Sequence, residues 1–365
     1  MKKDKYVCVH LLNDFSGSPN VLKQAIKVMQ QNGFEVDVFT SRDTVGFLSD
    51  LNGVSYQFIS YKNEKNKFLT LFNYLKFQVF LFFHILIKYR NVKNVSFLIN
   101  TVHPFGAALA GRLLRKKVVY YIHETLIKPD LLKKFLFFIV RLTSSVNIFV
   151  SKYLKQEEGF KGSNNHVIYN TLDKDFWEKA LKSTGHGRGE IFNIVFLGSN
   201  KAYKGVDTFF SLAKRLTNHR DIHFLVMLNA PREEIDLLRK QFVEQRNLTI
   251  FDSSNDVHDL YKSASIVLNL SKPDLWIETF GLTLLEAFSY GVPVISPNIG
   301  GPLEVVDHGM NGYCIDVTNI EEVIEHILNL KNEKDKYLTF SNNAFEKSKL
   351  FQYRMYEKRI KKILF

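Results

Sequence analysis

Cysteine is scarce in this chain of 365 residues, which has only Cys8 and Cys314, far apart in sequence. Two distant thiols form neither the disulfide framework of a small secreted domain nor a cysteine-rich zinc site, so we expect a reducing compartment. The hydrophobic fraction of 45% and the charged fraction of 24% are those of an ordinary globular protein and exclude a disordered or collagen-like chain. At about 150 residues per domain, the length predicts two domains.

Acidic residues are scarce in one part of the chain. Lys and Arg number 49 and Asp and Glu 37, for a net charge of +12. Between Lys65 and Lys155, 16 Lys and Arg stand against two acids, Glu124 and Asp130, so this stretch alone carries +14. Such a one-sided charge predicts an acidic partner (nucleic acid, anionic lipid or a phosphorylated substrate) or else a solvated basic face.

An uninterrupted apolar run of the roughly 20 residues that a membrane-spanning helix needs is also absent. In Phe68–Ile87, 15 of 20 residues are apolar, but five polar residues interrupt them. Lys76, His84 and Lys88 lie eight and four residues apart, which predicts a helix with a narrow polar stripe and a broad apolar face. The N-terminal apolar run is too short for a signal peptide and contains His10, so we expect a buried strand there.

A second amphipathic helix is predicted for Leu131–Leu142, where Lys134 and Arg141 stand one heptad apart beside phenylalanines. Basic amphipathic helices of this kind lie on anionic membrane surfaces, where Lys76 and Lys88 of the first helix would join these two cations at the lipid. Alternatively, both helices pack against a sheet while their lysine stems extend to water.

Predicted strands and helices alternate along the whole chain, which favours parallel sheets with helices on both faces. A first strand, a loop that contains Ser16 and Gly17, and a helix up to Gln31 open this alternation. In such sheets, ligands bind beyond the carboxyl ends of the strands. The predicted strands are 6–12, 35–40, 95–100, 117–122, 145–151 and 166–170, then 192–198, 223–229, 247–251, 265–271 and 293–297.

The segment 182–189 contains three glycines and is the clearest linker-like stretch. It separates two series of strands and helices, each of which predicts a Rossmann-like domain. The predicted parts are a first domain 1–172, a linker 173–190, a second domain 191–343 and a basic helical segment 344–365.

Two glutamates flank the predicted start of a helix in the second domain. Glu278 lies in the loop just before the helix and Glu286 lies eight positions later within it, with Phe280-Gly281 at the helix start. Amides at a helix N-terminus bind anions, so the pair suits a ligand with a phosphate in the middle and sugar hydroxyls on both sides. Two glutamates at this end of a helix are also favourable to the helix dipole without any ligand.

The residues around this pair resemble a known family. Residues 278–296 read ETFGLTLLEAFSYGVPVIS, similar to the E-G-F-G-L-x-x-x-E-A-x-A-x-G-x-P-V-I pattern of the retaining, nucleotide-sugar-dependent glycosyltransferases of family 4. Further segments are similar to other blocks of that family in the same order. They are YYIHET (120–125), VIYNTLD (167–173), LGSNKAYKG (197–205) and IGGPLEVVDHGMNGY (299–313).

The resemblance implies the GT-B fold, in which two Rossmann-like, doubly wound domains face a central cleft and the C-terminal helix returns to the first domain. Domain 1–172 would bind the acceptor and domain 191–343 the nucleotide sugar. The implied reaction is the transfer of a hexose from a UDP- or GDP-sugar with retention of configuration.

The resemblance also implies roles for single residues. Glu278 would contact the donor sugar, Glu286 would hold the ribose hydroxyls and Lys204 would neutralise the pyrophosphate. From the first domain, His123 would face the donor sugar and the loop around Gly17 would approach the phosphates. The other implied donor-binding positions are Ser16, Ser18, Phe280, Gly281 and Leu282.

The sequence departs from the family pattern in two places. Ser199 stands where the family has an arginine after the glycine of its phosphate block, so one of two expected cations is missing unless Lys201 replaces it. The family's glycine-rich turn after the second strand of this domain is replaced by Leu228–Pro231.

An Asp-x-Asp cluster, with which many sugar transferases hold a divalent metal, is absent from the predicted strand ends. Asp173 and Asp175 have this spacing, but they adjoin the predicted linker and Phe176-Trp177, which favours a surface turn. We therefore expect a metal-independent enzyme without a cofactor, in which helix amides and Lys204 stabilise the leaving diphosphate.

The favoured function is a transferase at the cytoplasmic face of the cell membrane, acting on a lipid-linked or polysaccharide acceptor in bacterial surface-glycan biosynthesis. His103, which follows a strand, and Ser16 are candidates for the acceptor side. An isomerase or phosphorylase on the same fold, and a basic membrane-binding module without catalysis, stay open as alternatives. A nucleic-acid partner is disfavoured, because the basic residues lie among long apolar runs and carry no motif of that class.

Overall fold

The computed structural model describes residues 4–42, 44–61, 66–183, 189–254 and 256–365. The chain divides into two compact units. The first comprises the residues up to Tyr169 together with Tyr356–Phe365, and the second comprises Asn170–Met355. Each unit has a parallel sheet flanked by helices, which confirms the predicted α/β class.

Seven parallel strands form the sheet of the first unit. Its elements are β1 Lys5–Val9, α1 Gly17–Gln31, β2 Glu35–Ser41, β3 Val54–Ile59, α2 Lys67–Tyr89, β4 Val95–Asn100, α3 Phe105–Leu113, β5 Lys117–Ile122, α4 Asp130–Thr143, β6 Val146–Phe149, α5 Lys152–Glu158 and β7 Asn165–Val167. The strand order is β3-β2-β1-β4-β5-β6-β7. The central strands β1, β4 and β5 are almost entirely buried and apolar, as parallel strands covered on both faces must be.

Six parallel strands form the sheet of the second unit. Its elements are α6 Lys174–Lys182, β8 Phe192–Ser199, α7 Val206–Arg215, β9 Ile222–Asn229, α8 Arg232–Gln241, β10 Leu248–Phe251, α9 His258–Ser263, β11 Ile266–Leu268, α10 Leu282–Ser289, β12 Val294–Pro297, α11 Pro302–Val305, β13 Gly312–Ile315, α12 Ile320–Asn332 and α13 Lys334–Ser348. The strand order is β10-β9-β8-β11-β12-β13.

The strand order reverses once in each sheet, between β1 and β4 in the first unit and between β8 and β11 in the second. At such a switch point, the loops after the two neighbouring strands diverge and leave a crevice beyond the carboxyl ends. These two positions are where the fold offers binding sites.

The linker predicted for 173–190 is wrong over its first part, which forms α6 within the second unit. Asp173, predicted to lie in a surface turn, caps this helix by accepting a hydrogen bond from the Asp175 amide at 3.0 Å. Phe176 and Trp177 give the helix a packing face, and the Trp177 ring stacks 6.1 Å from that of Phe345. Residues 184–188 of the glycine-rich segment lie outside the described residues.

The segment 344–365, predicted as one returning helix, contains two helices. Its first residues finish α13 in the second unit, and α14 Tyr353–Leu364 follows. The first unit takes up the chain again at Tyr356. There the Tyr6 hydroxyl donates to the carbonyl of Leu364 at 2.6 Å, so a side chain of β1 holds the end of α14.

The apolar stretch near residue 70 forms α2, but the predicted single polar stripe is wrong. Lys76 is exposed. Lys88 turns inward, with Nζ 3.5 Å from the carboxylate of buried Asp37, and the His84 ring packs edge-on against Phe39. A buried carboxylate needs cationic and hydrogen-bonding partners, which is why the Lys88 ammonium group turns toward Asp37 while 33% of the Lys88 side chain stays exposed.

Candidate functional site

Two residues predicted from the sequence meet at the switch point of the second unit. Lys204 ends a short 3-10 turn after β8, and Glu278 lies in the loop after β11. Nζ of Lys204 lies 2.8 Å from Oε2 of Glu278, and the Ser271 hydroxyl is 3.5 Å from the same oxygen. The predicted pyrophosphate cation and the predicted sugar carboxylate are therefore direct neighbours.

Aromatic rings hold Lys204 in place. Its Nζ lies 5.3 Å from the centroid of the Trp276 ring, which in turn stacks on Tyr203 at 5.2 Å. A cation over an indole face is attracted by the ring quadrupole. Trp276 and Tyr203 thus restrict the ammonium group to this edge of the sheet.

Gly205 explains why the turn that carries Lys204 comes so close to β11. Its φ is +77°, and a Cβ atom there would lie 2.1 Å from the carbonyl oxygen of Leu270. Only glycine accommodates both the left-handed backbone and this contact. The glycine also forms the N-cap of α7, so Lys204 stands directly before a helix N-terminus.

The Gly300-Gly301 pair supports the loop of Glu278. The amide of Gly301 donates to the carbonyl of Glu278 at 2.8 Å. A Cβ atom at Gly300 would lie 2.4 Å from that same carbonyl oxygen, and one at Gly301 would lie 2.2 Å from the Thr279 oxygen. These glycines therefore fix the backbone from which the Glu278 side chain projects.

The predicted residues Phe280, Gly281 and Leu282 form the start of α10. Gly281 is its N-cap with a φ of +93°, and Leu282 is the first helical residue. The first amides of a helix have no partner within it, and the helix dipole makes this end favourable to anions. The Glu278 side chain lies beside this start, with its Cγ 3.8 Å from where a Cβ of Gly281 would be, and Glu286 lies further along the helix.

Glu286 is held by a tyrosine that sequence reasoning did not single out. The hydroxyl of Tyr261 donates to Oε2 of Glu286 at 2.5 Å. Burial raises the pKa of the Glu286 carboxyl from its ordinary value to about 7, against the opposite effect of this hydrogen bond. One carboxylate oxygen thus has a fixed donor.

An aromatic cluster of Phe176, His258, Tyr261 and Tyr290 surrounds this hydrogen bond. The Phe176 ring lies 4.5 Å from that of His258, and Tyr261 stacks on Tyr290 at 5.9 Å. Nδ1 of His258 also forms a hydrogen bond with the Tyr290 hydroxyl. The four residues come from α6, α9 and the end of α10, so no local sequence pattern predicts that they lie together.

Ser199 and Lys201, the two residues at the departure from the family pattern, follow β8. Ser199 ends the strand and its carbonyl accepts from the Lys201 amide at 2.8 Å. The Lys201 side chain is exposed and has no ion pair with any residue of the described ranges. Whether it replaces the expected arginine stays a prediction.

Asn100 joins two histidines at the switch point of the first unit. It ends β4, while His10 follows β1 and His123 follows β5. The Asn100 amide nitrogen lies 3.0 Å from the carbonyl of Ser18 and 3.0 Å from Nδ1 of His10. A carbonyl only accepts, so this nitrogen is the donor in both bonds.

The orientation of Asn100 also fixes the tautomer of His123. The oxygen of the amide lies 2.9 Å from Nε2 of His123, which must therefore carry the proton. Burial lowers the pKa of His123 to about 3 and that of His10 to about 4. Both imidazoles are neutral at neutral pH.

The backbone after β4 is strained beside this network. Thr101 has a φ of +73°, which is costly for a β-branched residue, and its amide donates to the Tyr121 carbonyl at 2.8 Å. The following His103 is half-buried, and burial lowers its pKa to about 4. The predicted acceptor-side histidine thus adjoins the same strand end.

The Ser16-Gly17 loop lies next to the network formed by Asn100 and the two histidines. Asp14 accepts a hydrogen bond from the Ser16 amide at 2.9 Å, and Gly17 is the first residue of α1. Since the Ser18 carbonyl is bonded to Asn100, the start of α1 is tied to the histidine network. Within the described ranges, no group of three or more His, Cys, Asp or Glu side chains is arranged to hold a metal ion.

Comparison with known proteins agrees with this arrangement. Residues 15–176 match the family model Glycosyltransferase Family 4, and residues 182–347 match Glycosyl transferases group 1. A protein of the cps region of Klebsiella pneumoniae is 25% identical over 68% of this chain and 67% of its own length. The N-acetyl-alpha-D-glucosaminyl L-malate synthase of Bacillus anthracis is 27% identical over 49% of this chain and 48% of its own length.

Solved structures share the fold over the whole length. The Anabaena protein Alr3699/HepE, solved with UDP and glucose, has a TM-score of 0.78 and 17% identity and covers 99% of both chains. The same protein has also been solved with UDP-glucose. With both family models matched in order and this GT-B architecture, the chain belongs to the group 1 glycosyltransferases.

Proposed function

We propose that the protein is a retaining, metal-independent hexosyltransferase that moves a sugar from a UDP- or GDP-sugar to a lipid-linked or polysaccharide acceptor. The observation that carries the proposal is the contact between Lys204 and Glu278 beside the N-terminus of α10. A cation, helix amides and a carboxylate at one sheet edge suit a ligand that has both a diphosphate and a sugar.

The leaving group explains the need for the cation. When the bond between sugar and diphosphate breaks, negative charge develops on the diphosphate, and groups already oriented toward it lower the barrier. In the structure Lys204 pairs with Glu278. We propose that a bound diphosphate draws the ammonium group to itself, which frees the Glu278 carboxylate to accept from a sugar hydroxyl.

Glu286 would bind the ribose of the nucleotide. Tyr261 occupies one side of its Oε2, which orients the carboxylate for a pair of hydroxyls. The rings of Phe176 and Tyr290 pack against Tyr261 and hold the hydroxyl that donates to this carboxylate.

His123 would hydrogen-bond the donor sugar as a neutral imidazole. Its low pKa and its bond from Nε2 to Asn100 keep it uncharged, so it would act as a hydrogen-bonding group rather than as a cation. The loop at Gly17, tied to the same network, would approach the phosphates, and His103 and Ser16 would lie on the acceptor side.

The relatives support the proposed nucleotide-sugar donor and a role in polysaccharide synthesis. HepE of Anabaena has been solved with UDP-glucose, which favours a uridine nucleotide here. The Klebsiella relative belongs to the cps region, which favours a role in surface polysaccharide synthesis. We propose that this protein acts as a peripheral enzyme at the cytoplasmic face of the membrane.

The test combines binding, release and stereochemistry. UDP, GDP, ADP and their sugars are compared by thermal shift, where a ligand at 100 times its Kd stabilises by about 2.7 kcal/mol. Nucleoside diphosphate release should depend on an added lipid-linked acceptor, and the anomeric coupling in the product should match that of the donor. A protein that binds none of these nucleotides, or inverts the configuration, contradicts the proposal.

The alternative reaction on the same fold, a sugar isomerase or phosphorylase, gives a different result. An isomerase converts the nucleotide sugar without any acceptor, and a phosphorylase requires inorganic phosphate. Release that depends on the acceptor, in buffer without phosphate, excludes both.

A further inference from the structure

The side of α2 that faces away from the sheet is apolar. Nine large apolar side chains of this helix are exposed, from 46% for Leu69 to 85% for Phe68. They are Phe68, Leu69, Leu71, Phe72, Leu75, Val79, Phe80, Phe83 and Ile87. An ordinary surface helix exposes polar side chains to water, whereas α2 exposes mainly apolar ones.

Two polar side chains of α2, Gln78 and Lys88, have partners on the inner side of the helix. Buried Gln78 accepts a hydrogen bond from the Gly106 amide at 2.8 Å, and Lys88 pairs with buried Asp37. Gly106 lets α3 approach so closely that a Cβ there would lie 2.2 Å from the Gln78 carbonyl oxygen. The inner side of α2 is thus specifically packed, which fixes the outer side toward solvent.

The neighbouring helix α4 extends this surface. Its outer residues Leu131, Phe135, Phe138 and Leu142 are 42–78% exposed. Phe105 of α3 connects the two helices, since its ring lies 5.3 Å from Phe135 and 5.9 Å from Tyr74 of α2. Both helices thus pack against α3, and their exposed residues, the nine of α2 and these four of α4, are together called the apolar face.

The apolar face lies on one side of the sheet and α14 lies on the other. Phe97 of β4 packs against Tyr89 of α2, with 5.8 Å between the ring centroids. Tyr6 of β1 packs against Phe365, directly after α14, at 6.2 Å. Since Tyr6 pairs with Ser96 in the sheet register, Tyr6 and Phe97 project to opposite sides.

Exposed cations accompany the apolar face. Lys76 lies among the exposed residues of α2, and Lys134 and Arg141 lie on the exposed side of α4. Asp130 is the only acid in the three sequences of α2, α3 and α4. Apolar side chains ringed by cations are complementary to a bilayer with anionic headgroups.

We propose that the apolar face docks onto the surface of an anionic lipid bilayer, with α2 and α4 lying in the headgroup region. This deepens the membrane localisation proposed above and rests on it for the choice of partner. Phe68–Tyr89 is the one helix, within the described ranges, long and apolar enough to cross a membrane by length and composition. Its packed inner side, with Gln78 and Lys88, assigns it to the interface instead.

A second copy of the chain fits this face less well. In a two-fold symmetric dimer the same patch meets itself. The cations Lys76, Lys134 and Arg141 would then face their own counterparts with hardly any acid to offset them. A lipid surface supplies the missing negative charge.

The test is co-sedimentation with vesicles of phosphatidylcholine and phosphatidylglycerol, against phosphatidylcholine alone. The full chain should bind the mixed vesicles and release them as salt rises. The variant Lys76→Glu/Lys134→Glu/Arg141→Glu should lose roughly a hundredfold in partitioning. Lys88 is left unchanged, because its partner is Asp37 rather than solvent.

The matched control reverses three exposed cations of α14, Lys358→Glu/Arg359→Glu/Lys362→Glu, with the same change in net charge on the other side of the sheet. It should bind vesicles like the unchanged protein. If both triple variants lose binding equally, net charge rather than the apolar face is responsible, and the proposal is overturned.

An apolar variant, Phe72→Ser/Phe83→Ser/Phe138→Ser, tests insertion separately from charge. These side chains are exposed, so the fold should persist, while binding to the mixed vesicles at low salt, where the full chain binds, should weaken. Unchanged vesicle binding, or a dimer in light scattering that this variant dissociates, overturns the proposal in favour of another occupant. Because no donor is present, the outcome is independent of the transferase assay, and donor hydrolysis without vesicles reports the proposed function alone.

Discussion

Nε2 of His123 donates a hydrogen bond to the side-chain oxygen of Asn100 across 2.9 Å. The orientation of Asn100 is set by its amide nitrogen, which donates to the Ser18 carbonyl. The tautomer of the histidine is therefore decided by the start of α1, a segment far from it in sequence. The same amide ties together the loops that follow β1 and β5, on either side of β4.

Asn100→Asp should raise the pKa of His123 from about 3 by about one to three pH units, because a carboxylate stabilises the imidazolium form. Activity should then fall at acidic pH, where the unchanged enzyme keeps His123 neutral. Histidine titration by NMR and the pH profile of kcat/KM measure the effect. If the His123 titration does not move in a folded variant, the two side chains are not coupled.

Glu286→Ala should weaken nucleotide binding by roughly 1–3 kcal/mol, through loss of hydrogen bonds to a charged acceptor. The pH dependence follows from the raised pKa of about 7: the carboxylate predominates above that pH, so affinity should fall as pH is lowered through 7. Titration calorimetry from pH 5.5 to 8.5 (about 1.5 pH units to either side) tests this.

Tyr261→Phe should move that midpoint upward, because it removes the hydrogen bond that favours the ionised Glu286. Tyr290→Phe is the matched control, since the Tyr290 hydroxyl bonds to His258. An equal effect of the two variants contradicts the assigned role of Tyr261.

Gly300→Ala should lower kcat with little effect on nucleotide affinity, as we also expect of Glu278→Ala. The added methyl group would collide with the Glu278 carbonyl and displace its loop. Gly309→Ala is the matched control: its φ of +75° is close to the +85° of Gly300, but nothing lies within 4 Å of its Cβ position. Both variants carry the same left-handed backbone strain, but Gly300→Ala should lose more stability through the collision, and only Gly300→Ala should lose turnover; equal kcat values exclude the loop-positioning role.

Lys204→Ala should reduce kcat by about a hundredfold, because it removes the charge beside the leaving diphosphate. Lys201→Ala should reduce it less, since that side chain is exposed and lacks an ion pair in the described ranges. Steady-state kinetics of both variants decides between them. A greater loss in Lys201→Ala would identify Lys201 as the replacement for the arginine absent at Ser199.

Activity should persist in excess EDTA, because Lys204 and the amides at the start of α10 provide the positive partners for the diphosphate. The measurement is nucleoside diphosphate release with and without the chelator. Loss of activity that Mg²⁺ or Mn²⁺ restores would falsify the metal-free mechanism.

The strands β4 and β5 were predictable to the residue because they are near-continuous apolar runs with clear breaks on both sides. β3, with the sequence VSYQFI, was missed because it is an edge strand with mostly exposed or half-buried residues and no clear hydrophobic run. The sequence predicts a linker where α6 forms, because the glycines that follow α6 dominate the local composition. Burial alone does not make a strand predictable, because the buried four-residue strand β13 is also absent from the predicted strands.

Contacts between side chains that are far apart in sequence could not be predicted from local patterns. The resemblance put Lys204 and Glu278 in one site, but their direct contact bridges 74 residues and depends on Gly205. Helical spacing predicts that Lys88 faces the lipid, because spacing carries no information about its ion pair with Asp37 on β2. Tyr261 contacts Glu286 only because α9 and α10 pack together.

The return of α14 to the first unit has a consequence for building chimeras of related enzymes. A single crossover near residue 170 would exchange the second unit but also place a foreign α14 on β1 and β5. Tyr6 and Lys117 bind the carbonyl of Leu364, which any sequence provides, whereas the stack of Phe34 on Phe365 requires a matching ring. A two-crossover exchange, with a second junction at Tyr356, keeps each unit with its own C-terminal helix.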